Sequence, residues 1–307
     1  MEEDLLFRLN AVERLANASK LERFLSRPVS YGFAMVFNKA IYPLTRKGTL
    51  RKAGTFFDCP MQVLLPAGTD IFLAGGKTHR SEVRLARYMI RTLRPGGAFI
   101  DIGAHFGYFS LLASRVMHKG TVWSVEASPA NFAILSANIG HVDTIRSVHK
   151  AVSDSNEPVA FYEMPVIYSE YNTTEPGQFE QETWFQQLKP EKHLIESTTL
   201  DQLVDALDTP DVMIKIDVEG AEARVIRGGQ QYLNSHSPVV VMEYLAPRRN
   251  NRHHREALQL LTGMHYRAHF IDAEGDLKAC PDPDAYLEAE QIDSDNIVFV
   301  KTTAAAV

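Results

Sequence analysis

Only two cysteines occur in 307 residues, Cys59 and Cys280, too far apart for a CxxC redox or zinc motif. So few thiols provide no disulfide framework and fit a reducing compartment. No apolar run reaches about 18 residues, so no transmembrane segment is expected. A basic excess is missing too: 32 Lys and Arg stand against 38 Asp and Glu, a formal net charge of −6. That excludes a long groove neutralising nucleic-acid phosphates, and no nucleic-acid partner is expected. There is no internal repeat, and no tyrosine is followed four residues later by lysine. The second absence weighs against an NAD-dependent sugar dehydrogenase of the short-chain type. The chain opens on Glu2, Glu3 and Asp4, opposite to the basic start of a signal peptide. A soluble, cytoplasmic protein is the expectation.

Apolar residues are plentiful, at 45%, enough for one large α/β domain with an appendage. Leu5, Leu9, Val12 and Leu15 recur at three- and four-residue steps, which predicts a helix within 4–26 that Pro28 ends. The segment GFAMVFNKAIYPL extends this helical appendage. Short apolar runs between 54 and 74, broken by Pro60, Pro66 and Gly68, predict a hairpin or small sheet. SEVRLARYMIRTL is an amphipathic helix closed by Pro95, Gly96 and Gly97. Residues 1–79 are therefore read as appendage and 80–307 as the main domain.

Within 80–307, strands are expected at 98–102, 121–126, 145–152, 211–217 and 238–244, with helices at 107–117, 129–139 and 220–233. This βα alternation predicts a mainly parallel sheet. HYRAHFID and NIVFVK, joined by the polar stretch from Ala273 to Asp295, add an antiparallel closing pair and bring the count to seven. Residues 153–200 interrupt the alternation. Their aromatics (Phe161, Tyr162, Tyr168, Tyr171, Trp184, Phe185) are costly to leave in water, so the insertion reads as a lid or substrate wall.

The chemistry concentrates at two strand ends. FIDIGAHFG delivers Asp101 into a glycine-bounded turn and on into a helix, a nucleotide-cradling junction. TVWSVEAS ends in Glu126, about where such folds place a carboxylate on ribose hydroxyls. The glycine pattern narrows the ligand. Where a dinucleotide fold keeps a second glycine against the pyrophosphate, this chain has His105, between Gly103 and Gly107. A pyrophosphate would be crowded, whereas S-adenosylmethionine carries no phosphate and offers hydroxyls and cationic groups to carboxylates. An ordinary tight turn is the bland alternative.

VMIKIDVEGAEAR then emits Lys215, Asp217, Glu219 and Glu222 around Gly220, at a strand's carboxyl end where ligands of α/β sheets bind. Helix capping by Asp217, with Glu219 and Glu222 at the positive helix end, is the structural alternative. Glu243 ends a further strand, VVVMEY. After it, PRRNNRHHRE carries Arg248, Arg249, Arg252 and Arg255, either an anion site or a solvated helix face.

Taken together, FIDIGAHFGYFSLLAS, VWSVEASPANFAILSANI, STTLDQL and above all MIKIDVEGAEARVIRGG resemble the FkbM family of S-adenosylmethionine-dependent methyltransferases over about residues 80–245. The resemblance implies the class I methyltransferase fold, a Rossmann-like α/β seven-stranded sheet with its last strand antiparallel. It implies S-adenosyl-L-methionine as cofactor and mostly O-methylation of sugars, glycolipids or natural products. By motif, Asp101, Gly103, Ala104, His105 and Gly107 would line the methionine and ribose end, and Glu126 and Ala127 the ribose and adenine side. Asp217 would face the methyl group. Glu82 matches an acidic position of the family, with an exposed helix carboxylate as its alternative.

Asp217, Glu219 and Glu243 are the candidate catalytic residues, since an attacking hydroxyl must lose its proton. Asp217, Glu219, Glu222 and Glu243 also offer oxygen ligands to a divalent metal such as magnesium, although no metal is favoured. The arginines and the aromatic insertion together point to an anionic small-molecule or glycan acceptor. A homodimer stays open. The rival readings are an N-methyltransferase acting on protein or small molecules, and a catalytically silent S-adenosylmethionine-binding protein.

Overall fold

The computed structural model describes residues 1–178, 185 and 190–302. Trp184, part of the expected aromatic wall, lies outside the described residues. Leu5, Leu9 and Val12 are buried on the helix Glu2–Asn17, as their spacing requires. The expected single helix over 4–26 is two, because Ser19 and Glu22 form a capping box that starts a second one, Lys20–Ser26. Pro28 occupies the first turn of a third, Pro28–Val36. β1 (Thr49–Ala53) and β2 (Met61–Leu65) pair antiparallel as the small sheet.

After the helix Arg80–Thr92 come β3 (Ala98–Ile102), β4 (Thr121–Val125) and β5 (Ile145–Val148), separated by the helices Tyr108–Met117 and Pro129–Ile139. The strand expected at 145–152 divides, its end forming β6 (Ala151–Val152) outside the large sheet, and the insertion contributes β7 (Val159–Glu163), β8 (Glu191–Ile195) and β9 (Ser197–Thr198). β10 (Val212–Ile216), β11 (Val239–Leu245), β12 (Tyr266–Ile271), β13 (Leu277–Ala279) and β14 (Ser294–Lys301) complete the strands. The large sheet has the order β13-β12-β14-β11-β10-β3-β4-β5. β11, β10, β3, β4 and β5 run parallel, and β14 is antiparallel to both β11 and β12.

The sheet thus has eight strands where seven were expected. β13 is three residues long and lies inside the polar stretch read as a connection, followed by the helix Pro283–Glu290. The helix expected at 220–233 is divided at Gly229 into Glu222–Gly228 and Gln230–Ser235.

Strand alternation sorts the core into two layers. Phe99, Met213, Val241 and Val298 pack on the side of the helices Arg80–Thr92 and Tyr108–Met117, together with Leu9 and Phe37 of the appendage. Ile100, Ile214, Val240 and Phe299 face the other layer with Val225 and Leu261. By the same parity Asp101 and Lys215 face the first layer, and the register sets them side by side on β3 and β10. Glu243 stands opposite Asn296 on β14. The helix Arg80–Thr92 is pinned over these strands by a buried ion pair, Arg84 Nη2 to Asp295 Oδ2 at 2.7 Å.

Candidate active site

A cavity of about 320 Å³ opens at the carboxyl ends of β3, β4, β10 and β11. Glu82, Gly103, His105, Glu126, Ala127, Asp217, Glu219 and Glu243 all line it, although they come from five stretches of chain. Asp101, Ala104 and Gly107 are not among its lining residues, and each has a physical reason.

Asp101 is 1% exposed and sits beneath the cavity. Its Oδ2 accepts from Ser110 Oγ at 2.6 Å, and Ser110 Oγ in turn accepts from Ser124 Oγ at 2.7 Å. Lys215 Nζ lies 3.8 Å from Asp101 Oδ1 and 2.9 Å from Asp217 Oδ2. Asp101 therefore acts through Lys215, which lines the cavity and carries Asp217. Burial pushes the Asp101 carboxyl up, against the pull of Lys215. Burial would lower Lys215, but Asp217 and Asp101 outweigh it and hold the ammonium above its ordinary value. Ala104 is buried, its N–H sharing Val125 O with the N–H of Gly103, both at 3.0 Å. Gly107 serves packing: a Cβ there would stand 2.7 Å from Leu135 Cδ1.

The turn between β3 and its helix is tightly wound, with positive φ at Gly103, His105 and Gly107. That winding aims the His105 N–H at Glu126 Oε2, 2.8 Å away, while Ser128 N donates to Oε1 at 2.8 Å. Two backbone donors fix the Glu126 carboxylate at the cavity wall. Burial nonetheless pushes its pKa up to about 7, outweighing both hydrogen bonds. Burial likewise holds the His105 imidazole down to about 4, so it is neutral, with Nε2 3.1 Å from Ser169 Oγ.

The Glu126 shift has a stability consequence. An acid whose folded pKa exceeds its unfolded value favours folding below about 4.5, and this contribution is lost as pH rises through 7. Thermal and urea melts of the ligand-free protein are expected to show stability falling between pH 5 and 8. Glu126→Gln, which cannot ionise, should remove about 2 kcal/mol of that fall. An unaltered pH slope in this variant would contradict the buried-carboxyl assignment.

At the mouth, Lys77 Nζ meets Glu82 at 3.2 Å and Glu170 of the insertion at 2.6 Å. Lys77 draws Glu170 below the ordinary carboxylate range, while burial raises Glu82. In the same cavity, oxygens of Asp217, Glu219 and Glu243 lie within 4.8 Å of one another. Glu219 is 9% exposed and has left-handed backbone, φ 51°. Burial first, then Glu243 and Asp217, raises Glu219 well above its usual value, and burial with Asp217 raises Glu243 to about 8. Glu222 does not join them. It accepts from Gly220 N at 3.1 Å and lies 3.5 Å from His254 Nε2, both side chains 1% exposed.

The arginine run does not reach the cavity either. Arg248 is 2.9 Å and Arg249 3.8 Å from Asp293, and Arg255 is 3.1 Å from Asp284. Acids outside the cavity lining meet these three guanidinium groups. Of the insertion's aromatics, Phe161 and Tyr171 line the cavity, whereas Tyr162 and Tyr168 do not. Residues without a sequence signal also line it, among them Lys77, Glu170, Asn172 and Thr174. The Asn172 Nδ2 and Thr174 Oγ1 atoms are buried with no hydrogen-bond partner among the described residues. Thr173 Oγ1 donates to Glu219 O at 2.6 Å, tying the insertion to the acidic turn.

Among known proteins, the family described as the methyltransferase FkbM domain matches residues 101–268, more than half of the chain. A curated relative, Methyltransferase 1 of Beauveria bassiana, is 28% identical over 148 residues, covering 44% of this chain and 59% of that protein. Similar solved structures include the precorrin-6y C5,15-methyltransferase of Geobacter metallireducens, 14% identical, covering 72% of this chain and 88% of that one, with TM-score 0.39. Another is an O-methyltransferase from Bacillus cereus in complex with SAH, 11% identical, covering 71% and 80%, with TM-score 0.39. The motifs around the turn after β3 and around Asp217 lie inside the matched segment, and the chain belongs to the FkbM methyltransferase family.

Proposed function

We propose that this chain transfers the methyl group of S-adenosylmethionine to a hydroxyl on a sugar, glycolipid or natural-product acceptor. The observation that carries the reading is one cavity with two acidic walls: Glu126, fixed by two backbone N–H groups, and the cluster of Asp217, Glu219 and Glu243. The first wall fits the cofactor. Glu126 keeps oxygen lone pairs for ribose hydroxyls, and the buried, unpartnered Asn172 Nδ2 and Thr174 Oγ1 are polar groups that a ligand would satisfy.

When bound, S-adenosylmethionine supplies a methyl group already activated by its sulfonium. The protein's task is then alignment and exclusion of water. Ser169, Glu170 and Thr173 tie the insertion to His105, Lys77 and Glu219 respectively, closing the cavity from above. The second wall faces the acceptor, where carboxyl groups offer hydrogen bonds that orient a hydroxyl and an oxygen to receive its proton. Arg248, Arg249 and Arg255 meet acids outside the cavity lining, so the acceptor is read as a neutral hydroxyl compound.

Calorimetric titration with S-adenosylmethionine, followed by transfer of labelled methyl to glycosides, hydroxylated natural products and amines, tests the proposal. Glu126→Ala is expected to weaken cofactor binding by about 1.5–3 kcal/mol, the scale of hydrogen bonds to a charged group. Labelled methyl should appear on hydroxyl acceptors. Transfer to amines alone would replace oxygen by nitrogen as acceptor atom, and a folded protein that binds no S-adenosylmethionine would remove the reading altogether.

A further inference from the structure

We propose that residues 20–47 of the appendage form a docking surface for a membrane rich in anionic lipid, on which these helices lie without crossing it. Such docking needs neither cofactor nor acceptor. The fold leaves large apolar side chains outside here. The helix Lys20–Ser26 buries none of its residues, and Leu21 and Leu25, one turn apart on it, are both 66% exposed. The helix Pro28–Val36 has no charged residue, a composition normally found in a core, yet only Ala34 is buried. Val29 on it is 84% exposed, and Val36, two turns on along the same face, is exposed as well. Through a π-helical turn, Phe37–Ile41, the helix continues without a break into Tyr42–Thr45, where Leu44 is 86% exposed. Single exposed leucines are ordinary, but a run of them on successive helices marks an interaction surface.

Charge selects the occupant. Residues 20–52 carry eight Lys and Arg against one acid, Glu22, a net +7 in a chain of net −6, so the rest of the chain sums to −13. Glu22 is itself engaged in the capping box with Ser19. Arg27 precedes the apolar helix, and Arg46 and Lys47 follow its end. All three are exposed, and none has an acid partner among the described residues. An apolar strip between cations matches a bilayer interface, where acyl chains take the leucines and valines and lipid phosphates meet the cations. A second copy of this chain fits less well, because a two-fold contact sets the same surface against itself and +7 would face +7. No helix among the described residues is long and apolar enough to cross a membrane, so the surface lies on the bilayer.

The same helices are tied to the insertion over the cavity. Ile167 N donates to Tyr42 Oη at 3.2 Å, and Ser169 and Glu170, just beyond Ile167, line the cavity. Tyr42 is buried between the exposed Ile41 and Leu44, and Ile167 is exposed too. The apolar surface therefore reaches the segment that walls the cavity.

Flotation of the full chain with lipid vesicles at about 0.1 M salt, without S-adenosylmethionine, tests the surface. Binding is expected to vesicles of phosphatidylcholine and phosphatidylglycerol in equal parts, and at least about tenfold weaker binding to phosphatidylcholine alone. Val29→Asp, and separately Arg46→Gln with Lys47→Gln, should each weaken binding to the anionic vesicles at least about tenfold. All three positions are exposed, so thermal melts of these variants should match the parent. Lys119→Gln, exposed in the turn before β4, removes a charge elsewhere and should leave vesicle binding within about twofold. No binding to the anionic vesicles, equal binding to both kinds, or binding that survives in both appendage variants overturns the proposal. So does self-association that Val29→Asp abolishes in a protein that vesicles do not recruit, which would give the surface to a second copy of the chain.

Discussion

Gly103→Ala is expected to lose at least about 4 kcal/mol of stability and, with it, S-adenosylmethionine binding. A Cβ at this position would stand 1.8 Å from the backbone oxygen of Asp217, and Gly103 has φ 81°, where L side chains are strained. Nothing at the far end is flexible enough to yield, because Asp217 N donates to Ile102 O at 3.0 Å and fastens the same backbone to β3. The glycine lets the carboxyl ends of β3 and β10 close on each other, which brings Asp217 to the cavity. Any shift that relieves the clash moves Asp217 and the Lys215 contact with it. Gly32→Ala, inside the helix Pro28–Val36 with no atom within 4 Å of the added Cβ, is the opposite control and should gain up to about 1 kcal/mol. Chemical denaturation of both variants decides the matter. A Gly103→Ala protein within about 1 kcal/mol of the parent would mean the two strand ends are not in contact as described.

This close approach shows where sequence reasoning succeeds and stops. Periodicity and turn residues sufficed for the helix Arg80–Thr92, for β3, β4, β10 and β11, and for the carboxylates at their ends, because each signal is local. Glu126, Asp217, Glu219 and Glu243 were therefore legible as a group at the carboxyl edge of a parallel sheet. Asp101 was legible as important but not in its role. Only the neighbour relation of β3 and β10 puts it beside Lys215 and under Ser110, one pleat below the cavity. The arginines misled for a related reason, since Arg248 and Arg255 find their acids 45 and 29 residues away. Lys77 and Glu170, 93 residues apart, carry no mark in the sequence of belonging together. β13 escaped because three residues cannot display an alternation.

Lys215→Met is expected to cost about 3–5 kcal/mol at neutral pH, the scale of removing one partner of a buried ion pair. The lost charge has two dependents, and their exposure decides which carries the penalty. The Asp217 side chain is 35% exposed and keeps water; that of Asp101 is 1% exposed and has only Ser110 left. Methionine fills the volume against Phe109, whose ring centroid lies 5.4 Å from Lys215 Nζ, so cavity formation adds little. The deficit should consequently belong to an uncompensated Asp101 carboxylate and shrink as pH falls, because protonation removes the charge that burial penalises. Adding Asp101→Asn to Lys215→Met should restore stability to within about 1 kcal/mol of the parent, since the amide oxygen still accepts from Ser110 without bearing charge. Urea denaturation of the two single variants and the double at pH 5 and pH 8 completes the cycle. If the double variant is as unstable as Lys215→Met alone, the lysine's contribution lies in packing and not in holding the β3 carboxylate. If it recovers, the lysine of the KIDVEGAE motif serves as the counter-charge by which a buried Asp101 and a cavity-facing Asp217 coexist on neighbouring strands.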